Sequence, residues 1–255
     1  MAIAGEVTDP AALHTEDLEV QSGAAQLKCY LARSREAGPR PGIIVLHEAY
    51  GLVEHIKDVC RRFAAIGYIA IAPDLYTRIG APDPSDRESA MAKMQAVRDD
   101  QLVPDLEALA AHLRARESAT GIGVIGFCFG GRETLLFASM SRTPDAAIDC
   151  WGGFIMRASP DNEITPQRPM PVIDLVEGVT CPIFVVGGEE DQNPSPGDLD
   201  ALKRRLEAGG KDVAVKIYRE AGHAFFADYR PTYREPAAFQ LWDDIVDFFG
   251  KRLPR

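Results

Sequence analysis

The run from Gly121 to Met140, G-I-G-V-I-G-F-C-F-G-G-R-E-T-L-L-F-A-S-M, leaves this chain the least freedom. A short apolar segment (Ile122, Val124, Ile125) of the kind that makes a buried strand turns sharply through Gly126-Phe127-Cys128-Phe129-Gly130-Gly131. It then enters an apolar-periodic helix with Leu135, Leu136 and Met140 on one side. Glycines two before and two after Cys128 let strand and helix approach closely while the central residue takes a strained conformation. That is the geometry of a nucleophile elbow, usually written G-x-S-x-G, here with cysteine in the serine position. It also places Cys128 at a helix N-terminus, where free backbone N–H groups and the helix dipole favour a thiolate. Gly121, Gly123 and Gly126 spell G-x-G-x-x-G as well, but a dinucleotide fingerprint needs a strand ahead of its glycines. Here Arg116 to Thr120 read as a helix end plus loop and the glycines fall inside the strand, so that reading is rejected.

Strands and helices alternate around this stretch. Residues 1–16 read as a loose N-terminal arm, and 17–255 as one domain. Leu18 and Val20, then Leu27, Cys29 and Leu31, alternate about Ser22-Gly23 as an antiparallel hairpin. Ile43 to Leu46 form a continuous apolar strand followed by the polar loop His47 to Gly51. Ile56, Val59, Cys60, Phe63 and Ile66 fall at helical spacing up to Gly67, and Tyr68 to Ala72 make another strand closed by Pro73-Asp74. The spacing predicts helices over 87–99 and 103–115, with Pro104 early in the second, where its missing N–H costs little. Further strands are expected over 146–150, 182–186 and 213–218, helices over 197–209 and 236–250, and an irregular excursion over 152–178. Such alternation means an α/β fold, a mostly parallel sheet with helices on both faces. Ligands sit at the carboxyl ends of the strands in such sheets, so the loops at 47–51, 126–130, 187–196 and 219–226 are where chemistry belongs.

Bulk properties exclude several classes. A length of 255 residues suits a single α/β domain, and a net charge of −10 argues against nucleic acid or an anionic membrane as partner. The five cysteines are odd in number and form no C-x-x-C pair, which argues against a disulfide framework or zinc knuckle and fits a reducing compartment. No signal-like start and no apolar run of membrane length is present, so a cytoplasmic location is expected. His47-Glu48 with His55 does not make H-E-x-x-H, since the second histidine lies too far along; no metal and no cofactor are expected. Cys29, Cys60, Cys150 and Cys181 read as core fillers.

A thiol nucleophile needs a nearby base and a third group to orient that base. His223 lies in a late post-strand loop, whereas His14 lies in the arm and His55 and His112 in predicted helices. The acid should follow the strand between elbow and histidine; Asp191 does so, with Glu190 as its competitor. Nucleophile, acid, histidine is the chain order of an α/β-hydrolase. Tyr50, Tyr76 and Trp151, near predicted strand ends, are candidates to line the pocket.

At these residues the chain resembles the dienelactone hydrolases (carboxymethylenebutenolidases) over roughly residues 17–250. The shared motifs are the cysteine elbow Gly126-Phe-Cys-Phe-Gly-Gly131, Glu48-Ala-Tyr-Gly51, Pro73-Asp-Leu-Tyr76 and Ala221-Gly-His223. The resemblance implies Cys128 as nucleophile, His223 as base and Asp191 as the acid that orients it. It implies that Glu48 contacts the thiol at rest and helps form the thiolate when substrate arrives. The oxyanion hole would be the backbone N–H groups of Phe129 and Ala49. The substrate would be a small ester or lactone, and the protein a monomer or homodimer. Arg87 is compatible with one of two arginines that hold the substrate carboxylate in this family. The position of the other is Ala227, and Ala224 replaces the serine after the histidine, leaving Arg230 or Arg78 as possible substitutes. Competing readings are a general carboxylesterase or thioesterase, or a catalytically silent hydrolase fold that serves as a binding protein.

Overall fold

The computed structural model describes residues 2–36, 38–83, 85–156 and 164–254. In chain order the elements are β1 (Leu13–Ser22), β2 (Ala25–Ser34), β3 (Arg40–Leu46), α1 (Glu54–Ala65), β4 (Ile69–Pro73), α2 (Arg87–Ala96) and α3 (Asp99–Arg116). They continue with β5 (Ala119–Phe127), α4 (Phe129–Met140), β6 (Ala146–Cys150), β7 (Ile183–Gly188), α5 (Pro196–Ala208), β8 (Val213–Tyr218) and α6 (Glu235–Arg252). One eight-stranded sheet runs β1-β2-β4-β3-β5-β6-β7-β8. The β1–β2 and β2–β4 pairs are antiparallel, and every other pair is parallel.

The continuous apolar run of β3 has its explanation in this layering. Ile44 and Leu46 face one side, packed with Met94, Leu106, Leu136 and Leu202 of α2 to α5. Ile43 and Val45 face the other, against Ile56 and Phe63 of α1 and Leu241 and Phe249 of α6. A strand covered on both faces has no solvent side on which to place polar residues. The central parallel strands therefore all end at the same edge, and the loops that follow them form one cluster.

Several boundaries differ from expectation. The N-terminal arm is not loose: β1 begins at Leu13, and Ala4 is 1 % exposed. The Tyr233 hydroxyl donates to the Ala2 carbonyl at 2.9 Å and Arg62 Nη1 to the Ala4 carbonyl at 3.0 Å. Gly5 lies so close to the Trp242 indole that a Cβ would come within 2.8 Å of Nε1. Small residues, which carry no apolar periodicity, are what allow this segment to dock. Helix α3 starts at Asp99, so Pro104 lies past the first turn and withholds a donor from the Asp100 carbonyl. Met140, the last residue of α4, is 54 % exposed rather than core, whereas Phe129 to Ser139 are all buried between the sheet and its covering elements. Within 152–178 the chain makes 3-10 turns at Val172–Asp174 and Val176–Gly178; residues 157–163 lie outside the described residues. Among the described residues no helix is long and apolar enough to cross a membrane. All five cysteines are free thiols.

Candidate active site

The elbow is fixed by backbone contact. Cys128 joins β5 to α4 at φ 54°, ψ −113°, a conformation that costs a residue with a side chain about 1–3 kcal/mol. Its N–H donates to the Cys150 carbonyl at 2.9 Å, and the Gly130 N–H to the His47 carbonyl at 3.0 Å. A Cβ on Gly126 would overlap the Gly130 carbonyl, and one on Gly130 would overlap the carbonyl of Leu46 at the end of β3. The glycines are there because strand, helix and neighbouring strand leave no room for anything larger.

Side-chain contacts bring His223 to the elbow. His223, after β8, places Nδ1 2.8 Å from Asp191 Oδ2, after β7. Asp191 is buried, and its Oδ1 accepts from the Asn193 N–H at 3.0 Å; Glu190 is exposed at the lining of the cleft. With Nδ1 engaged, Nε2 is the nitrogen left for the thiol. Burial disfavours the charged imidazole, but Cys128 and Asp191 beside it prevail and raise the His223 pKa well above the ordinary value.

The loop after β3 supplies the opposite wall. Glu48 is buried, with Oε2 3.0 Å from Arg230 Nη2 and 3.5 Å from the Tyr229 hydroxyl, while Oε1 is buried without a hydrogen-bond partner. The Arg230 guanidinium lies 5.2 Å from the ring centroids of both Tyr50 and Tyr229. Burial works against its charge, but Glu48 and Tyr229 outweigh burial and raise its pKa. A cleft of about 420 Å³ opens above these groups. Cys128 and His223 line it, Met91, Met94 and Phe154 form an apolar wall, and Arg87 and Arg230 supply positive charge.

Three sequence-based assignments change. Tyr76 does not line the cleft: it is fully buried, stacked on Phe129 with ring centroids 6.0 Å apart, and its hydroxyl donates to the Ala49 carbonyl at 2.8 Å. Trp151 is 1 % exposed, wedged against Phe127 and Phe225. A ring at a strand end gains more by turning into the layer between sheet and helix than by facing water. Arg78 pairs with Asp105 at 2.6 Å away from the cleft, which leaves Arg230 as the second arginine at the site.

Two buried ion clusters behind the site have no sequence signature. Asp228, five residues past His223, grips Arg62 and lies 3.3 Å from His55 Nδ1, tying the histidine loop to α1. Under the elbow helix, Arg132 Nη1 is 2.8 Å from Asp99 Oδ1 and 3.0 Å from Glu133 Oε1. Arg168 reaches Glu133 at 3.7 Å, donates to the Met94 carbonyl and lies 5.4 Å over the Phe129 ring. His47 carries no assignment from the sequence either; it is fully buried behind the Glu48–Ala49 loop and does not line the cleft.

Known proteins share this arrangement of chain. The family model of the dienelactone hydrolase family matches residues 27–253. The "Putative carboxymethylenebutenolidase" of Methylorubrum extorquens is 35 % identical over 251 residues, covering 97 % of this chain and 80 % of that protein. The protein of the same name from Salmonella typhimurium is 32 % identical over 253 residues, 95 % of this chain and 92 % of that one. The crystal structure titled "Putative Dienelactone Hydrolase" from Klebsiella pneumoniae superposes with a TM-score of 0.86 at 31 % identity, over 94 % of this chain and 99 % of the other. The chain belongs to the dienelactone hydrolase family, and is a hydrolase of the α/β-hydrolase fold.

Proposed function

We propose that the protein hydrolyses an ester or lactone bond of a small, carboxylate-bearing molecule through Cys128, His223 and Asp191. The observation that carries this reading is the 2.8 Å His223–Asp191 contact beside a cysteine held at positive φ on the elbow. The Cys128 thiolate attacks the substrate carbonyl carbon, and the oxyanion that forms faces the N–H groups of Phe129 and Ala49. As the tetrahedral intermediate collapses, the imidazolium of His223 gives its proton to the departing alkoxide and a thioester remains on Cys128. His223 then takes a proton from water, the hydroxide attacks the thioester, and the carboxylic acid leaves with regeneration of the thiol pair. Asp191 holds the imidazole with Nε2 toward sulfur and stabilises its charged form.

Arg87 and Arg230 are the groups in reach of a substrate carboxylate. Arg230 is held by Glu48 in the resting protein. A substrate carboxylate that takes over Arg230 would free Glu48, whose Oε1 has no partner of its own, to draw the proton from the Cys128 thiol. Glu48 would return that proton to the thiolate released when the thioester is hydrolysed, while His223 starts and ends the cycle as imidazolium. The apolar wall of Met91, Met94 and Phe154 favours a second reading, hydrolysis of neutral acyl esters or thioesters by the same residues. Five free thiols suit a cytoplasmic setting.

A turnover panel of dienelactone, aryl esters and aryl thioesters, with wild type and Cys128→Ala, tests the proposal. Loss of turnover on every substrate in the variant is expected. Full activity of Cys128→Ala would overturn it, and a preference for neutral over anionic substrates would favour the second reading.

A further inference from the structure

We propose that His47 and Tyr76 are positioning residues that set the direction of the Ala49 N–H; the inference rests on the assignment of that N–H to the oxyanion hole.

A peptide unit is planar, and its C=O and N–H point in opposite directions, so whatever grips the Glu48 carbonyl also aims the Ala49 N–H. His47 does this: Nδ1 lies 2.7 Å from the Glu48 carbonyl oxygen. The tautomer follows from the other nitrogen. The Leu75 N–H donates to Nε2 at 3.0 Å, so Nε2 carries no proton and the hydrogen is on Nδ1. Asp74 Oδ1, 3.9 Å from Nε2, is the ionised group facing the ring. Burial outweighs it and pushes the His47 pKa down, which keeps the ring neutral. On the other side of Ala49, the Tyr76 hydroxyl donates to its carbonyl oxygen at 2.8 Å. Both peptides flanking the Ala49 Cα are therefore pinned through their carbonyls by side chains that do not reach the cleft.

The same side chains carry the second donor. The Tyr76 ring lies parallel to that of Phe129, interplanar angle 2°, and the His47 ring is 5.0 Å from Tyr76 and 6.2 Å from Phe129. His47, Tyr76 and Phe129 are each at most 1 % exposed. The Gly130 N–H closes the unit by donating to the His47 carbonyl. The separation of the two N–H groups is thus fixed by packed rings and four hydrogen bonds rather than by the loop itself. Stabilisation of an oxyanion depends on donors that need not reorganise when charge develops, and this cluster supplies that preorganisation.

A packing role alone would lower stability, or impair every reaction of Cys128 alike. A positioning role separates two reactions of the same sulfur. Acylation by p-nitrophenyl acetate develops an oxyanion, whereas alkylation by iodoacetamide expels iodide and develops none. The experiment compares both rates in wild type, Tyr76→Phe, His47→Leu and His47→Asn, with urea unfolding to establish that each is folded. Tyr76→Phe keeps the stacked ring and removes one hydroxyl, so it stays informative if His47→Leu does not fold. We expect kcat on the ester to fall about 10-fold in Tyr76→Phe and about 100-fold in His47→Leu. KM and the alkylation rate, including its pH profile, should stay within about twofold, and His47→Asn, whose amide restores a donor near Nδ1, should recover most of kcat. Ester turnover within twofold of wild type in folded Tyr76→Phe, or alkylation that falls in parallel with kcat, overturns the inference and leaves the hydrolase reading standing. A wild type that turns over no ester sinks both.

Discussion

Residues 126–131 and residues 219–230 bring Cys128 and His223 to the same cleft, and charge plays a different part in holding each. The elbow is held by main chain: Cys128 sits at φ 54°, and glycines at 126 and 130 let carbonyls approach where a Cβ would collide. The histidine loop adds charge to its main-chain contacts, such as the Glu190 N–H on the Ala221 carbonyl at 2.9 Å: Asp191 pairs with His223, Asp228 with Arg62 and His55, and Glu48 with Arg230. The first arrangement tolerates little change of shape. The second tolerates isosteric change and responds to any substitution or pH that removes a charge. The geometry at Cys128 is thus built largely into the backbone, while the surroundings of His223 and Arg230 depend more on charge.

Substitutions can break or sharpen this contrast. Asp191→Asn keeps shape and removes charge, so kcat should fall about 10⁴-fold while the folded state persists, as read by steady-state kinetics alongside circular dichroism. A loss under tenfold would mean that the orienting acid lies elsewhere. Gly126→Ala adds one methyl and no charge; denaturant unfolding should show a stability loss of about 3 kcal/mol, with secondary structure or expression failing first if the site cannot relax. A neutral outcome would show that main-chain contact is not what fixes the elbow. For Asp228, burial opposes ionisation, but His55 and Arg62 outweigh it and lower the pKa from 3.8 to about 2. Its contribution to stability, about 1–2 kcal/mol, is therefore present above pH 4 and lost as pH falls toward 2. Asp228→Asn should be less stable than wild type at pH 7, and the difference should shrink across that window; a constant difference would contradict it. The smallest effect belongs to the exposed rim: Arg87→Ala should raise KM for anionic esters about 10-fold, roughly 1.4 kcal/mol, and spare neutral ones. Equal losses on both kinds would remove Arg87 from substrate recognition.

The same contrast explains what could be read in the sequence. Backbone-fixed features leave local marks: the elbow glycines surround Cys128 within five residues, and the strand-end loops follow apolar runs. That is why the parallel sheet and the positions of Asp191 and His223 were legible. Charge-fixed features join residues far apart, such as Arg62 with Asp228 or Asp99 with Arg132, and no local pattern announces them. Tyr76 and Trp151 show a third limit. Their location at strand ends was legible, but whether a ring faces the cleft or the interlayer depends on what Phe129 and Phe225 leave unfilled. The small residues that let the N-terminal segment dock under Trp242 carry no periodicity at all, so Ala4 and Gly5 looked like a free arm.

The most direct test of the account is to look for the acyl group on sulfur. Wild-type protein mixed rapidly with p-nitrophenyl acetate and quenched in acid should gain one acetyl mass on the peptide containing Cys128, together with a burst of one p-nitrophenolate per protein. His223→Ala should slow both events in step. An acetyl group on any other residue, or turnover with no labelled intermediate and unchanged activity in Cys128→Ala, would contradict the central claim that Cys128 is the nucleophile.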